Sequence, residues 1–350
     1  MKDFPIAFRH SFAGFLSVVF MVVFASAAQL DTRGILPGPR GLIHLDIEGA
    51  REMQMLPILM PLLETVWAEL AGSREELAVW RTQAGLEWTR DVDDLTLGIF
   101  PAHVAGANLP FVVIARGRFS PEKIHAFAQR HRYSVHRSQG HTVVAVAQGA
   151  LCARDEHTLL LTDASALTLP RVFAALENRS HSFTSPAQLD DVGAHVGVPF
   201  LLAMLDGGLV PRRDLVRGTW GWPVNLPLPE QIFAAFGVCG GVVCLRIEGG
   251  FASREKAYEL HAYLQMVHSY WQRKSRMAKV RDSDVAVAQA NEEKAFARRL
   301  LRKLNFVTVD KKIRLELQLN FADFTRLADW LLETFSRHNA PGAPTPAPVN

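Results

Sequence analysis

A strand of strictly alternating side chains, followed at once by an amphipathic helix, constrains this chain more than any other feature of its sequence. Every second residue of the strand is apolar: Ile313, Leu315, Leu317 and Leu319. This period of two predicts a half-buried antiparallel strand. The helix that follows carries apolar residues on one face: Phe324, Leu327, Ala328, Leu331 and Phe335. Residues 306–309 precede the strand, and Asp310-Lys311 between them predicts a tight hairpin turn.

The same pattern occurs 70 positions earlier, where residues 245–253 align with residues 315–323. In this alignment Leu245 and Ile247 match Leu315 and Leu317, so all four are expected to face a core. The residues between them, Arg246 and Glu316, are expected to face solvent. Two further strand–helix units begin at residues 42–47 and 111–115. The sequence therefore predicts a scaffold built from a repeated strand–helix unit.

Strands and helices do not alternate strictly along the chain, which argues against a doubly wound parallel sheet. We expect an α+β fold in which two similar halves of antiparallel sheet carry helices packed on one face. The N-terminal half is assigned to residues 36–180 and the C-terminal half to residues 181–338. Residues 339–350, rich in proline and alanine, are expected to form a disordered tail.

Residues 1–28 have the three parts of an export signal. Lys2 and Arg9 lie before an uncharged apolar run at 12–28, which ends in small residues. The segment is either a cleaved signal peptide or a retained membrane anchor, since its length is near the lower limit for spanning a bilayer. Both alternatives place the rest of the chain outside the cytoplasm, in the periplasm or beyond it.

Composition narrows the functional class. Lys and Arg total 38 against 35 for Asp and Glu, which gives no reason to expect a nucleic-acid partner. Three cysteines in 350 residues rule out a disulfide scaffold. Cys239 and Cys244 flank Gly240-Gly241, and a two-residue turn there would not place them directly opposite each other. We therefore expect buried free thiols, with a Cys239–Cys244 disulfide as the alternative.

The order of these segments resembles an uncharacterised family of exported bacterial envelope proteins with a duplicated α+β scaffold. The resemblance rests on the export signal, the strand at 45–47, residues 91–98 and 116–120, and the late strand–helix pair. It covers most of residues 40–335 at the level of pattern. Such proteins have no assigned reaction, so the resemblance implies an extracytoplasmic α+β protein and supplies no catalytic residue.

Two segments are candidate interaction sites. An aromatic and proline-rich loop includes Trp220, Trp222, Pro223 and Pro227, residue types common at interfaces. A basic run is a candidate for contact with an anionic surface, and it comprises Arg273, Lys274, Arg276, Lys279 and Arg281. The histidines at 125, 131, 136 and 141 are the densest group of possible zinc ligands, but their arginine neighbours oppose a cation. No cofactor, metal or catalytic residue is predicted.

The sequence contains no phosphate-binding loop, dinucleotide fingerprint or nucleophile elbow. The leading hypothesis is a non-catalytic envelope or periplasmic protein with a binding or structural role, whose partner is an envelope protein or the membrane surface. One alternative is a binder of a small apolar or lipid-like ligand where the two halves meet, a usual place for clefts. The other alternative is an enzyme of unrecognised type, which absent local motifs do not exclude.

Overall fold

The structure is a computed structural model. It describes residues 32–60, 79, 82–83, 86–101, 110–146, 149–163, 168–178, 182–209, 227–277, 295–296, 299–300 and 302–338. The export signal or anchor at 1–28 and the tail at 339–350 lie outside the described residues.

Twelve strands in these ranges form one antiparallel sheet. The first seven are β1 Gly41–Asp46, β2 Val92–Ile99, β3 Phe111–Gly117, β4 Val135–Ser138, β5 His141–Val146, β6 Gly149–Ala153 and β7 Thr158–Asp163. The remaining five are β8 Val198–Asp206, β9 Gln231–Cys239, β10 Val242–Gly250, β11 Asn305–Val309 and β12 Lys312–Leu319. Their order across the sheet is β11-β12-β10-β9-β8-β1-β2-β3-β7-β6-β5-β4.

The helices lie between and after these strands. In the described ranges they are α1 Ile47–Glu52, α2 Trp88–Asp91, α3 Pro121–Arg130, α4 Thr168–Glu177, α5 Ala187–Ala194, α6 Arg254–Met277 and α7 Phe321–His338. Several of them begin at side-chain caps, α3 and α7 among them. The Ser120 hydroxyl accepts a hydrogen bond from the Lys123 amide, and the Asn320 carboxamide oxygen accepts one from the Asp323 amide. These caps fix where α3 and α7 begin.

Apolar clusters cover both faces of the sheet. One cluster joins β3, β8 and β10 to α1, α3 and α7, and Phe127, Phe236 and Phe324 are among its largest fully buried side chains. The other joins the opposite side of the same strands to α4 and α5, through residues such as Val172 and Leu189. Helices on both faces explain why the central strands are nearly continuous apolar runs.

The α+β class with antiparallel strands is confirmed. The arrangement differs from the expectation in two respects. The helices pack on both faces of the sheet, and the strands form one continuous sheet. Strands β1 to β7 occupy one end of it and β8 to β12 the other, and the two sets meet where β1 pairs with β8.

The repeated strand pattern has a mixed outcome. Leu245, Ile247, Leu315 and Leu317 are all buried on one face, as predicted, and Glu316 is half exposed. The expectation for Arg246 is wrong, because its side chain is only 3% exposed. The two strands are direct neighbours, with Leu245 opposite Leu317 and Ile247 opposite Leu315. The difference is that α5 packs against the second face of β8, β9 and β10, whereas β12 lies further towards the edge of the sheet.

The strand register confirms the two-residue turn predicted at Asp310-Lys311. Two-residue turns also join strands at Gln139-Gly140 and Gly240-Gly241. Gln139 and Asp310 have φ angles of 49° and 52°, a region that such turns require and that few side chains tolerate. These tight turns place the flanking strand residues directly opposite one another.

Candidate functional site

Most residues of the two predicted interaction sites lie outside what the structure describes. Trp220, Trp222 and Pro223 fall in the range 210–226, and Pro227 is half-buried just before β9. Of the basic run, Arg273, Lys274 and Arg276 belong to α6, whose side chains are not described beyond 269, and Lys279 and Arg281 fall in the range 278–294. Both sites therefore stay predictions.

Within the described ranges, no helix combines the length and the apolar character needed to cross a bilayer.

The four clustered histidines occupy separate surroundings. His136 and His141 lie on the same face of the β4–β5 hairpin, and the His141 ring stacks against Phe173 with centroids 4.7 Å apart. His125 bonds to Gln129, whereas His131 bonds to Gln83 and lies against Phe127. In the part of the chain that the structure describes, no three His, Cys, Asp or Glu side chains converge as a metal site would require.

Cys239 and Cys244 form a disulfide at the β9–β10 turn, so the prediction of free thiols is wrong. The predicted register itself is correct, since Cys239 lies opposite Val242 and Cys244 opposite Gly237. The diagonal pair nevertheless has a Cα–Cα distance of 6.1 Å, within the limit of about 6.8 Å for a disulfide. Gly237 has no side chain to obstruct Cys244, so the two sulfur atoms meet on that face.

The third cysteine is a different case. Cys152 is a free cysteine and is buried in the apolar cluster beneath α4. Burial raises the pKa of the Cys152 thiol to about 12. A thiol with such a pKa is neutral and unreactive at ordinary pH.

A network of charged side chains lies on the same face of β10 as the disulfide. Cys244, Arg246 and Glu248 alternate along this strand, so all three point towards α5. The side chains of Arg246 and Glu248 are each only 3% exposed. Arg246 Nη2 donates to Glu248 Oε1 at 2.8 Å. This pair is the charged core of the network, and its neighbours supply further charges around it.

Three of those neighbours come from other elements. Arg314 of β12 donates from Nε to Glu248 Oε1 at 2.8 Å. Lys312 Nζ lies 3.8 Å from Glu248 Oε2. On the other side of the pair, Asp191 of α5 lies 3.9 Å from Arg246. The network therefore links α5, β10 and β12. The Glu248 carboxylate, which burial desolvates, is surrounded by the cationic side chains of Arg246, Arg314 and Lys312.

The electrostatic balance at Glu248 favours its charged form. Burial alone would raise the pKa of the Glu248 carboxyl, but the hydrogen bonds from Arg246 and Arg314 outweigh it, and the pKa lies below its usual value of 4.5. A carboxylate held in this way is ionised at neutral pH. Its chemistry is that of a structural ion pair.

Sequence reasoning missed this network because it treated β10 as a copy of β12. A signal was present in the neighbouring strand. The centre of β9, residues 232–236, is continuously apolar, which is typical of a strand covered on both faces. Strand β10 pairs with β9, so it too is expected to be covered on both faces. Its charged residues on the second face would then be buried and would need partners.

The acidic residues at the start of β2 are also paired. Asp91 is 8% exposed and holds Arg90 by two hydrogen bonds. Arg116 of β3 donates to Asp94 at 3.0 Å. Burial would raise the pKa of Asp91, yet the bond from Arg90 and the Glu87 amide lower it overall. The Asp94 carboxylate therefore links β2 to β3, and the Asp91 carboxylate stabilises α2 from within.

The two outermost strands of the sheet present different surfaces. Edge strand β4 exposes His136 and Arg137 to solvent. Edge strand β11 contains no charged residue, and Val307 and Val309 are 42% and 58% exposed. Its other face packs on α6, where Thr308 bonds to His261 at 2.7 Å. Strand β11 is therefore the more apolar of the two edges.

The chain thus belongs, by architecture, to the α+β proteins built on a single antiparallel sheet. No family model matches its sequence, and no curated protein matches it either. Solved structures that resemble it include crystal forms I, III and IV of TP0453. In that order, the sequence identities are 10%, 10% and 9%, and the TM-scores are 0.45, 0.49 and 0.48. The matches cover 88%, 88% and 87% of this chain and 98%, 100% and 97% of those chains. No residue role is transferred from them.

Proposed function

We propose that this chain is an exported protein with a binding or structural role outside the cytoplasm. The Cys239–Cys244 disulfide carries the proposal. Disulfides persist in oxidising compartments such as the periplasm and are rare in the reducing cytosol. The pattern of residues 1–28, with its basic start, apolar run and small-residue end, supports the same location from an independent part of the chain.

The state of the paired carboxylates favours this role over catalysis. Asp91, Asp206 and Glu248 each bond to an arginine, and the pKa of each lies below its usual value. A general acid or base works best when its pKa lies near the operating pH. These groups are held in the charged form instead, and the bonds from Arg40 to Asp206 and from Arg314 to Glu248 link separate segments of the sheet.

The joint between the halves favours the structural role over ligand binding there. Strand β1 pairs with β8 from Gly41 opposite Leu205 to Leu45 opposite Leu201. The apolar side chains at this joint, Leu42, Leu45, Leu201 and Leu202, are at most 3% exposed. A small apolar ligand between these two strands would have to break a hydrogen-bonded strand pair, so the joint supports the alternative less well.

The proposal is tested by locating the chain and its thiols in cells. Residues 1–35 are fused to a phosphatase that is active only outside the cytoplasm, and the matched control carries Val19→Arg and Val22→Arg in the apolar run. We expect activity from the natural segment and none from the control. In the full chain, acid-trapped alkylation should label Cys152 after unfolding and leave Cys239 and Cys244 blocked. An inactive fusion, or three reactive thiols, would contradict the proposal.

A further inference from the structure

The Cys239–Cys244 disulfide lies where it adds little to the stability of the fold. A two-residue turn joins β9 to β10, and the two strands pair from Cys239 opposite Val242 to Gln231 opposite Gly250. The disulfide therefore closes a loop whose ends are 5 positions apart and are already held together by strand pairing. A disulfide that closes a short loop removes the least entropy from the unfolded chain, so it stabilises the fold least. We expect this hairpin to stay folded when the disulfide is reduced.

The two cysteines of this disulfide differ in their access to solvent. Cys239 is half-buried, and the residues that follow it, Gly240 and Gly241, are exposed. Cys244 is only 4% exposed and belongs to the apolar cluster that joins the sheet to α4 and α5. The rate of thiol–disulfide exchange depends on which sulfur atom the attacking thiolate can reach. A thiolate from solvent therefore attacks Cys239 in preference to Cys244.

The chain itself does not supply the attacking thiol. Its third cysteine, Cys152, belongs to β6, which is seven places from β10 in the order of the sheet. Neighbouring strands lie about 4.8 Å apart, so β6 and β10 are about 34 Å apart across the sheet. Cys152 is also buried, and burial raises the pKa of its thiol to about 12. A reductant of the disulfide must therefore come from outside the chain.

We propose that the Cys239–Cys244 disulfide is a site of thiol–disulfide exchange, reduced by a dithiol that attacks Cys239. The thiolate of the dithiol bonds to Cys239 Sγ, the disulfide bond breaks, and Cys244 Sγ leaves with the electron pair and takes up a proton. The second thiol of the reductant then attacks the mixed disulfide, which releases Cys239 as a thiol and leaves the reductant as a disulfide. Two electrons and two protons pass to the cysteine pair, and a disulfide oxidant reverses the steps. This inference goes beyond the binding or structural role proposed above, because it adds a reaction.

The first test follows reduction of the purified full chain by dithiothreitol, with acid trapping and mass measurement of alkylated samples. We expect the rate to rise linearly with the dithiothreitol concentration, because the dithiol attacks the folded chain, and circular dichroism to stay unchanged after reduction. A rate that levels off at the rate of global unfolding would show that only unfolded molecules are reduced. That result, or loss of the folded spectrum on reduction, would show that the bond is purely structural and would overturn the inference.

The second test identifies the sulfur atom that is attacked. Cys244→Ser leaves Cys239 as a free thiol, and the matched control Cys239→Ser leaves Cys244. The probe is the aromatic disulfide dithiobis(nitrobenzoate), and we expect Cys239 to form a mixed disulfide with it at least about tenfold faster than Cys244 does. The variant with serine at both positions measures the background from Cys152. Equal rates in the two single variants would overturn the choice of Cys239. The phosphatase fusion does not involve the disulfide, so failure here leaves the proposed export intact.

Discussion

Replacing Arg246 by methionine should destabilise the protein far more than its strand pattern suggests. The Arg246 side chain is 3% exposed and donates to the equally buried Glu248 at 2.8 Å. Methionine keeps much of the length of the side chain and removes the charge. Glu248 is then left with Arg314 and the more distant Lys312. Removing one partner of a buried ion pair costs about 3–5 kcal/mol of unfolding free energy. Because Arg314 remains, we expect the lower end, about 3 kcal/mol.

The control is an exposed pair of similar geometry. Arg254 Nη2 lies 2.8 Å from Asp310 Oδ1, but these side chains are 63% and 62% exposed. Arg254→Met should change the stability little, because solvent screens such exposed pairs. The double variant Arg246→Met with Glu248→Met should lie within about 1 kcal/mol of the parent, because it leaves no unpaired buried charge in the pair.

Urea denaturation followed by circular dichroism measures these free energies, and unchanged slopes would show that the same transition is compared. The refuting result is an Arg246→Met variant that loses no more stability than Arg254→Met. Arg246 would then be solvated, as the strand pattern alone predicts, and α5 would not cover β10. A double variant as unstable as the single one would show that the two charges are not coupled.

Acid should remove part of this stabilisation. The pKa of Glu248 in the folded chain lies below its usual value of 4.5, so the unfolded chain takes up the proton more readily. The contribution of Glu248 is therefore present above about pH 4.5 and is lost as the pH falls through the lower, folded pKa. Denaturation of the parent and of Glu248→Gln should converge over that acid range. A stability difference that stays constant with pH would contradict the assigned charge state.

Two further predictions concern the core and the disulfide. Ile247→Asp and Leu317→Asp should each lower the unfolding free energy by more than about 3 kcal/mol, since each buries an unpaired charge. Glu316→Lys should lower it by under about 1 kcal/mol. If denaturation gave the reverse order, the face of these strands assigned to the core would be wrong. Reduction of the Cys239–Cys244 disulfide should lower the unfolding free energy by about 2 kcal/mol, as expected for a short closed loop. A variant with serine at both positions should show the same loss, and reductant should not change its thermal unfolding. If reductant destabilised this variant as much as the parent, the effect of reductant would not come from the Cys239–Cys244 disulfide.

Local features of the fold were predictable because local physics decides them. The alternation in β12 persists in the structure because one face of that strand meets the core and the other meets solvent. The turns at Gly240-Gly241 and Asp310-Lys311 form as expected because few sequences accept their backbone angles. The helix starts at Ser120 and Asn320 depend on a side chain and an amide three residues apart.

The candidate site was not predictable in the same way. Arg246 and Glu316 have equivalent places in the repeated pattern, yet one is buried and the other half exposed. The difference depends on α5, which is distant in sequence from both strands. The disulfide likewise depends on a diagonal approach of two strands, and a register diagram that considers only directly opposite residues misses it.

The sequence by itself determined the α+β class, the antiparallel strands, the turns and the inward face of the repeated strands. Each of these follows from the period of the apolar residues or from the backbone angles that a few adjacent residues allow. Only the tertiary structure decided that the strands form one sheet, that helices cover both faces, and that Arg246 and Glu248 form a buried pair. Those outcomes depend on which distant elements pack together. The alternation of residues within a strand such as β10 does not show whether a helix covers its second face.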